Sequence, residues 1–201
     1  MLIKIKDHYF DIEENYFKME SMPDDPANSA VYGTETDGAA VFVMFAPVEN
    51  GQAMPFDKPD YVISGLHSAL ADDQGIIEVT SGKTRRGNGF IYSIIKTECE
   101  PAGVRYDLTL HIDLVKEIFG LRYTADERGV IGQREALILE NAREEKLVGA
   151  DMKGWRCDPY DPSYKKGALM NFSEQKEFDK LFPDHPLSVL RDFTAYFTAH
   201  N

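Results

Sequence analysis

Residues 104–114 read VRYDLTLHIDL and alternate apolar with polar side chains along their whole length. A period of two places the two sets of side chains on opposite faces of a β-strand. The pattern predicts a long strand with one face in the core and the other toward polar surroundings. The apolar set is Val104, Tyr106, Leu108, Leu110, Ile112 and Leu114, and the polar set is Arg105, Asp107, Thr109, His111 and Asp113.

Three more strand-like runs flank this one, at residues 76–81, 90–97 and 118–123. The connections between the runs are short, whereas a parallel pair of strands needs a crossover of roughly a dozen residues or more. We therefore predict that the four runs are consecutive antiparallel neighbours in one sheet.

Further strands are predicted before these four. Residues 2–6 alternate in polarity and favour a short strand, and residues 13–38 are polar and turn-rich, which favours short edge elements. Residues 39–46 are apolar on both faces of an extended chain. We therefore expect a central strand there, covered on both sides.

Helices are predicted both before and after the four strands in the chain. Residues 58–71 have the apolar spacing of a helix laid against a sheet, with Asp57 as the expected cap. Residues 132–145 favour a second helix. The C-terminal segment favours two more, one capped by Ser173 and one beginning near Pro186.

This order of elements predicts an α+β fold with one mostly antiparallel sheet and helices packed on it. No flexible linker separates two halves that each have a core. We therefore expect a single globular domain that spans residues 1–201.

Three segments carry a resemblance to a known family: FIYSIIKTE (90–98), GVRYDLTLHI (103–112) and ERGVIGQREA (127–136). They resemble the PsbP-like superfamily, which includes a photosystem accessory protein and a Ran-binding nuclear-import protein. In that superfamily a strand leads through a Gly-x-x-Gly-x-Arg-like turn into a helix. The corresponding residues here are Gly129, Gly132 and Arg134, and the segment MNFSEQKEFDKLFPDHPLS (170–188) resembles the tail of uncharacterised bacterial members.

The resemblance implies an α/β/α sandwich in which helices flank the sheet. It also implies a non-enzymatic role, since the characterised members act through contacts with other proteins. It transfers no catalytic residue to this chain.

The charge of the chain restricts its partners. It has 22 basic and 34 acidic residues and a formal net charge of −12. An acidic surface does not suit nucleic acid or an anionic membrane, so we expect neither as a partner. We expect instead a protein with a basic surface and an association that slows as salt rises. The alternative is that the charge serves solubility alone.

The location is expected to be cytoplasmic, because the N-terminal residues lack the apolar region of a signal peptide. The longest apolar run, residues 39–46, is much shorter than the roughly 20 residues of a membrane-spanning helix. Cys99 and Cys157 make neither a disulfide framework nor a zinc site. We expect no metal and no cofactor.

Two groups of residues are candidates for binding. Lys83, Arg85 and Arg86 form the densest basic cluster, which is either a solvated turn or a contact for an anion. Trp155 and Tyr160 lie in a long loop, residues 149–167, where the aromatic side chains either form a binding ridge or pack inward.

The sequence contains no motif for a catalytic nucleophile or a phosphate-binding loop, and its histidines lack the spacing of a metal-ligand pair. His111 lies on the polar face of its strand and has the position of a residue in a groove. The preferred function is a non-enzymatic protein-binding module or adaptor. The alternative is a small-ligand-binding protein or hydrolase-type enzyme with a pocket between the sheet and the 149–167 loop.

Overall fold

The computed structural model describes residues 1–48 and 54–201. Within these ranges it contains nine strands, three α-helices and two short 3₁₀ segments, Phe172–Glu174 and Lys176–Leu181. In chain order the strands and α-helices are β1 (Leu2–Ile5), β2 (His8–Asp11), β3 (Phe17–Lys18), β4 (Ala30–Glu35), β5 (Ala39–Pro47), α1 (Pro59–Ala69), β6 (Gln74–Lys83), β7 (Gly89–Glu98), β8 (Val104–Asp113), β9 (Ile118–Glu127), α2 (Gln133–Glu144) and α3 (Pro186–His200).

Seven of these strands form one sheet in the order β3-β4-β5-β9-β8-β7-β6, and every neighbouring pair is antiparallel. The prediction that the four runs from β6 to β9 are consecutive antiparallel neighbours is therefore confirmed. β1 and β2 form a separate hairpin. The fold is α+β, with helices on both faces of the sheet, as predicted.

One face of the sheet, the covered face, packs against α3 and the β1–β2 hairpin. The apolar set of β8 points to this side, and Leu108, Leu110 and Ile112 are fully buried there. From α3, Phe193 and Phe197 enter the same core, and the ring of Phe193 lies 4.8 Å from that of Tyr123. The alternation of polarity along β8 therefore predicted correctly which of its side chains are buried.

The opposite face, the open face, is covered unevenly. Over β6 it packs against α1, where Ile63 of the helix contacts Ile76 and Val79 of the strand. Over β5 it is partly exposed, and Phe42 is 42% exposed. The expectation that residues 39–46 are covered on both sides is therefore wrong, because among the described residues no helix lies over this part of the open face.

Two predicted helix caps are also wrong. Lys58 precedes α1 and makes no side-chain cap, so Asp57 is not its cap. In the C-terminal segment the cap is Asn171 instead of Ser173, because the Asn171 side chain accepts a hydrogen bond from the Ser173 N–H while Glu174 accepts one from the Asn171 N–H. The second C-terminal helix begins at Pro186, as predicted.

No helix in residues 1–48 and 54–201 combines the length and the apolar character needed to cross a membrane.

Candidate functional site

A cleft of about 520 Å³ lies where the turn after β9, the start of α2 and the residues before α3 meet. The turn takes its shape from Gly129 and Gly132, which both have φ of +73°, a left-handed conformation that favours glycine. The Gly-x-x-Gly-x-Arg-like turn predicted from sequence therefore forms one wall of the cleft. It leads directly into α2, which carries Arg134.

Arg134 fixes the walls of the cleft relative to one another. Its side chain is fully buried and donates hydrogen bonds to the carbonyl oxygen of Ser173 at 2.8 Å, to Oδ1 of Asp179 at 3.0 Å and to Oγ of Ser188 at 3.0 Å. These partners lie in the two 3₁₀ segments and in α3. One side chain on α2 thus holds three other segments in place.

A second buried arginine extends this network to the edge of the sheet. Arg191 of α3 contacts Asp179 at 3.1 Å and Glu78 of β6 at 3.0 Å. Glu78 also accepts a hydrogen bond from the hydroxyl of Tyr92. Because charged groups this deep require partners, the network resists any shift of the helices relative to the sheet.

The rim of the cleft combines apolar and charged side chains. Val130 and Leu181 line it although 71% and 65% of their surfaces are exposed, and the exposed Leu137 lines it too. Asp37 and Asp184 line the same cleft and are also exposed, as is Arg128, whose guanidinium lies 3.5 Å from the carboxylate of Glu35. Among the described residues Asp37 and Asp184 form no ion pair, and exposed apolar side chains next to such carboxylates suit a partner that carries both apolar and basic groups.

The floor of the cleft holds Glu127 and His185. Glu127 accepts a hydrogen bond from the Gly132 N–H at 2.7 Å, and burial raises the pKa of its carboxyl group. Burial, together with the nearby Arg134 and Arg191, lowers the pKa of His185 to about 3. The imidazole of His185 is therefore neutral near pH 7.

Behind this floor lies Glu135, whose two carboxylate oxygens are buried without a hydrogen-bond partner among the described residues. Burial is the main cause that raises the pKa of Glu135, and the charges of Glu127 and Glu174 raise it further. Three carboxyl groups are thus gathered in a poorly solvated region. Glu174 is already paired with Lys96, and the charge of Arg134 partly offsets that of Glu135, so a further cation would be attracted mainly by Glu127 and Glu135.

The residues Glu127, Glu135 and His185 place one ligand atom each within 4.8 Å of the others, a spacing that fits a metal ion. The hydrogen bonding of His185 argues against one. Its Nδ1 accepts the N–H of Leu187 at 3.2 Å and faces the Arg134 guanidinium at 3.4 Å, so the ring hydrogen is on Nε2. That nitrogen is a donor in this tautomer and has no partner in the described residues, so a metal ion would have to displace its proton to bind it.

The basic cluster predicted from sequence lies far from the cleft. The backbone N–H of Arg85 donates to the carbonyl of Thr198 at 3.0 Å, and that of Arg86 donates to Asn201 at 2.9 Å. The turn with Lys83 therefore closes the C-terminal end of α3, where the helix dipole favours positive side chains. The cleft lies at the other end of this 15-residue helix, about 22 Å away. Binding of an anion by the cluster stays a prediction.

The two aromatic candidates lie in the 149–167 loop. Trp155 is only 5% exposed and packs with Ile138, Ala142 and Val148 in a small core beneath α2. It therefore forms no ridge on the surface. Tyr160 is partly exposed, and its hydroxyl bonds to the backbone of Val79 in β6. A binding role for either residue stays a prediction.

The loop lines an opening of about 390 Å³ together with Met170, Asn171, Phe172 and Gln175, so this opening lies between the loop and the segment that follows it and not against a strand of the described residues. Nε2 of His67 lies 2.9 Å from Asp158, and the rings of His67 and Tyr164 stack at 4.2 Å. These contacts attach the loop to α1. The larger openings of the described residues lie elsewhere, at the cleft and on the open face.

Sequence reasoning singled out Arg134 but missed Glu127, Glu135 and His185. Glu127 and Glu135 lie within the segment ERGVIGQREA, on either side of the two glycines. That spacing was an available signal, because a turn followed by a helix brings flanking carboxylates together. No local pattern connected them to His185, which is 50 residues further along the chain.

No protein-family model matches the chain, and no curated protein matches it. Among solved structures it is similar to the Ran-binding protein Mog1p of Saccharomyces cerevisiae, at 9% identity over 66% of this chain and 77% of that one, with a TM-score of 0.38. It is also similar to PA94 of Pseudomonas aeruginosa, a protein of unknown function, at 10% identity over 73% of this chain and 92% of that one, with a TM-score of 0.34. Membership of the PsbP-like superfamily stays a prediction.

Proposed function

We propose that this protein is a non-enzymatic, cytoplasmic protein-binding module of the PsbP-like superfamily and that the cleft binds a partner with a basic surface. The observation that carries the proposal is the arrangement of the cleft. Exposed apolar side chains surround an opening lined by the carboxylates of Asp37, Glu127 and Asp184, while its two arginines, Arg128 and Arg134, are already paired with Glu35 and Asp179.

A lysine or arginine side chain of the partner fits both features of the cleft. Its methylene groups pack against the apolar rim formed by Val130, Leu137 and Leu181, while its charged end approaches Glu127. The buried hydrogen bonds of Arg134 hold the segments around the cleft in place, so binding costs little conformational entropy.

The charge distribution of the whole chain supports the same partner. A net charge of −12 attracts a basic surface over a distance, and the basic cluster at the opposite end of α3 makes the field directional. Such a field mainly raises the association rate and discriminates against wrong partners.

A selection from a random peptide display library, with the full chain as target, tests the proposal. We expect the selected peptides to contain lysine or arginine next to apolar residues. Competition by free peptide, together with protection of Leu137 and Val130 amides from hydrogen exchange, locates the binding site. Peptides without basic residues, or protection confined to other surfaces, would contradict the proposal.

A further inference from the structure

A second opening of about 570 Å³ lies on the open face, over β5, β8 and β9. Its floor is formed by side chains that alternate with the buried ones along these strands. Those that matter here are Met44, Ala46, Thr109, His111 and Arg122, and Val48, just after β5, lines the same opening. The volume is within the range of roughly 300–1,000 Å³ that small-molecule sites occupy.

Gly120 keeps this groove open. It is the residue of β9 directly opposite His111 of β8, and a Cβ atom at this position would lie 3.4 Å from Cγ2 of Val48. The missing side chain leaves a depression between a row of apolar side chains on β5 and a row of polar ones on β8.

The charge of the groove differs from that of the rest of the surface. Its lining contains one arginine and no carboxylate, counted over residues 1–48 and 54–201, although the chain has 34 acidic residues. Arg122 takes part in no ion pair of that part of the chain. The nearby carboxylate of Asp107 accepts a hydrogen bond from Thr124 at 2.7 Å.

Two polar neighbours surround Arg122 on the same face. Thr109 is its direct partner across the β8–β9 pair, and His111 is the next residue on that face of β8. The three side chains together offer one positive charge, one hydroxyl and one imidazole at the edge of an apolar surface. This combination suits a carboxylate at one end of an otherwise apolar molecule.

We propose that the groove binds a small carboxylate with an apolar body, such as a medium-chain fatty acid. Its carboxylate pairs with the guanidinium of Arg122 and accepts a hydrogen bond from Thr109, while its chain lies along Met44, Ala46 and Val48. This site is separate from the acidic cleft and does not depend on the function proposed for it.

Octanoate is the probe for this proposal, followed by ¹H–¹⁵N NMR titration of the full chain. We expect shifts of the amides of β5, β8 and β9. Octanol, which lacks the charge, should bind at least about tenfold more weakly, since a tenfold change corresponds to the loss of roughly one hydrogen bond to a charged group. Acetate, which lacks the chain, should also bind at least about tenfold more weakly, because it buries far less apolar surface.

Two variants complete the test. Arg122→Gln should weaken octanoate binding about tenfold, and Gly120→Val should block it by filling the depression. Arg143→Gln removes one exposed positive charge on α2 and serves as the matched control, with unchanged binding. Octanol that binds as tightly as octanoate, an Arg122→Gln variant that binds normally, or shifts that appear only outside these strands would overturn the proposal. Thermal unfolding of each variant verifies that it is folded.

Discussion

Lys96 and Glu174 form an ion pair inside the protein, with Nζ at 3.0 and 3.1 Å from the two carboxylate oxygens and both side chains fully buried. The same carboxylate accepts hydrogen bonds from the hydroxyl of Tyr106 at 2.9 Å and from the Asn171 N–H at 2.6 Å. The pair attaches the segment after the 149–167 loop to the sheet. That segment leads into the wall of the cleft, so the cleft is shaped before any partner binds.

Replacement of Lys96 by Met should lower the free energy of unfolding by about 3–5 kcal/mol, because it leaves the Glu174 carboxylate buried without its cation. Urea denaturation measures the change. Lys180→Met, at an exposed position, is the control and should change the free energy by less than about 0.5 kcal/mol. Equal stability of the two variants would show that the buried pair is not needed for the fold.

Replacement of Glu135 by Gln should stabilise the protein in a pH-dependent manner. The pKa of Glu135 is raised in the folded state, so the folded protein holds this proton more tightly than the unfolded chain does. The wild-type residue therefore costs stability as pH rises above its ordinary pKa near 4.5. In urea denaturation, the increase in the free energy of unfolding caused by Glu135→Gln should be larger at pH 7 than at pH 4. A gain that is equal at both pH values, or a loss, would contradict the burial of an unpaired carboxyl group.

Replacement of Arg122 by Gln should raise the pKa of His111, which is lowered first by burial and second by the positive charge of Arg122. Because burial is the larger cause and remains, the pKa should not return fully to 6.5. NMR titration of the imidazole protons measures it, with Arg143→Gln as the control of equal charge. An unchanged or lower pKa in the Arg122 variant would show that the two side chains do not interact in the groove.

The elements of the sheet could be predicted because each has a local signal. The alternation over residues 104–114 fixed which side chains of β8 are buried, and the short connections fixed the antiparallel order. The exposure of β5 on one face could not be predicted in this way. An apolar run such as residues 39–46 reads the same whether one face or two faces are covered.

The cleft could not be predicted from local sequence patterns, for a different reason. Its residues come from β9, α2 and the segment before α3, and periodicity does not specify how these approach one another. The pairing of Lys96 with Glu174, which are 78 positions apart in the sequence, likewise depends on the path of the chain between them. Trp155 shows the same limit, since only the packing of α2 over the loop decides that its ring lies inside.

The affinity of a selected basic peptide for two charge variants tests the central claim most directly. Asp37→Asn/Asp184→Asn removes two negative charges from the rim of the cleft, and Asp72→Asn/Asp73→Asn removes the same charge at an exposed site elsewhere. Surface plasmon resonance at low and physiological salt measures both affinities. At low salt the rim variant should bind the peptide at least about tenfold more weakly than the wild type, mainly because it associates more slowly. The control variant should bind the peptide like the wild type. Equal affinity of the two variants, or an affinity that does not change with salt, would contradict a cleft that recognises a basic partner.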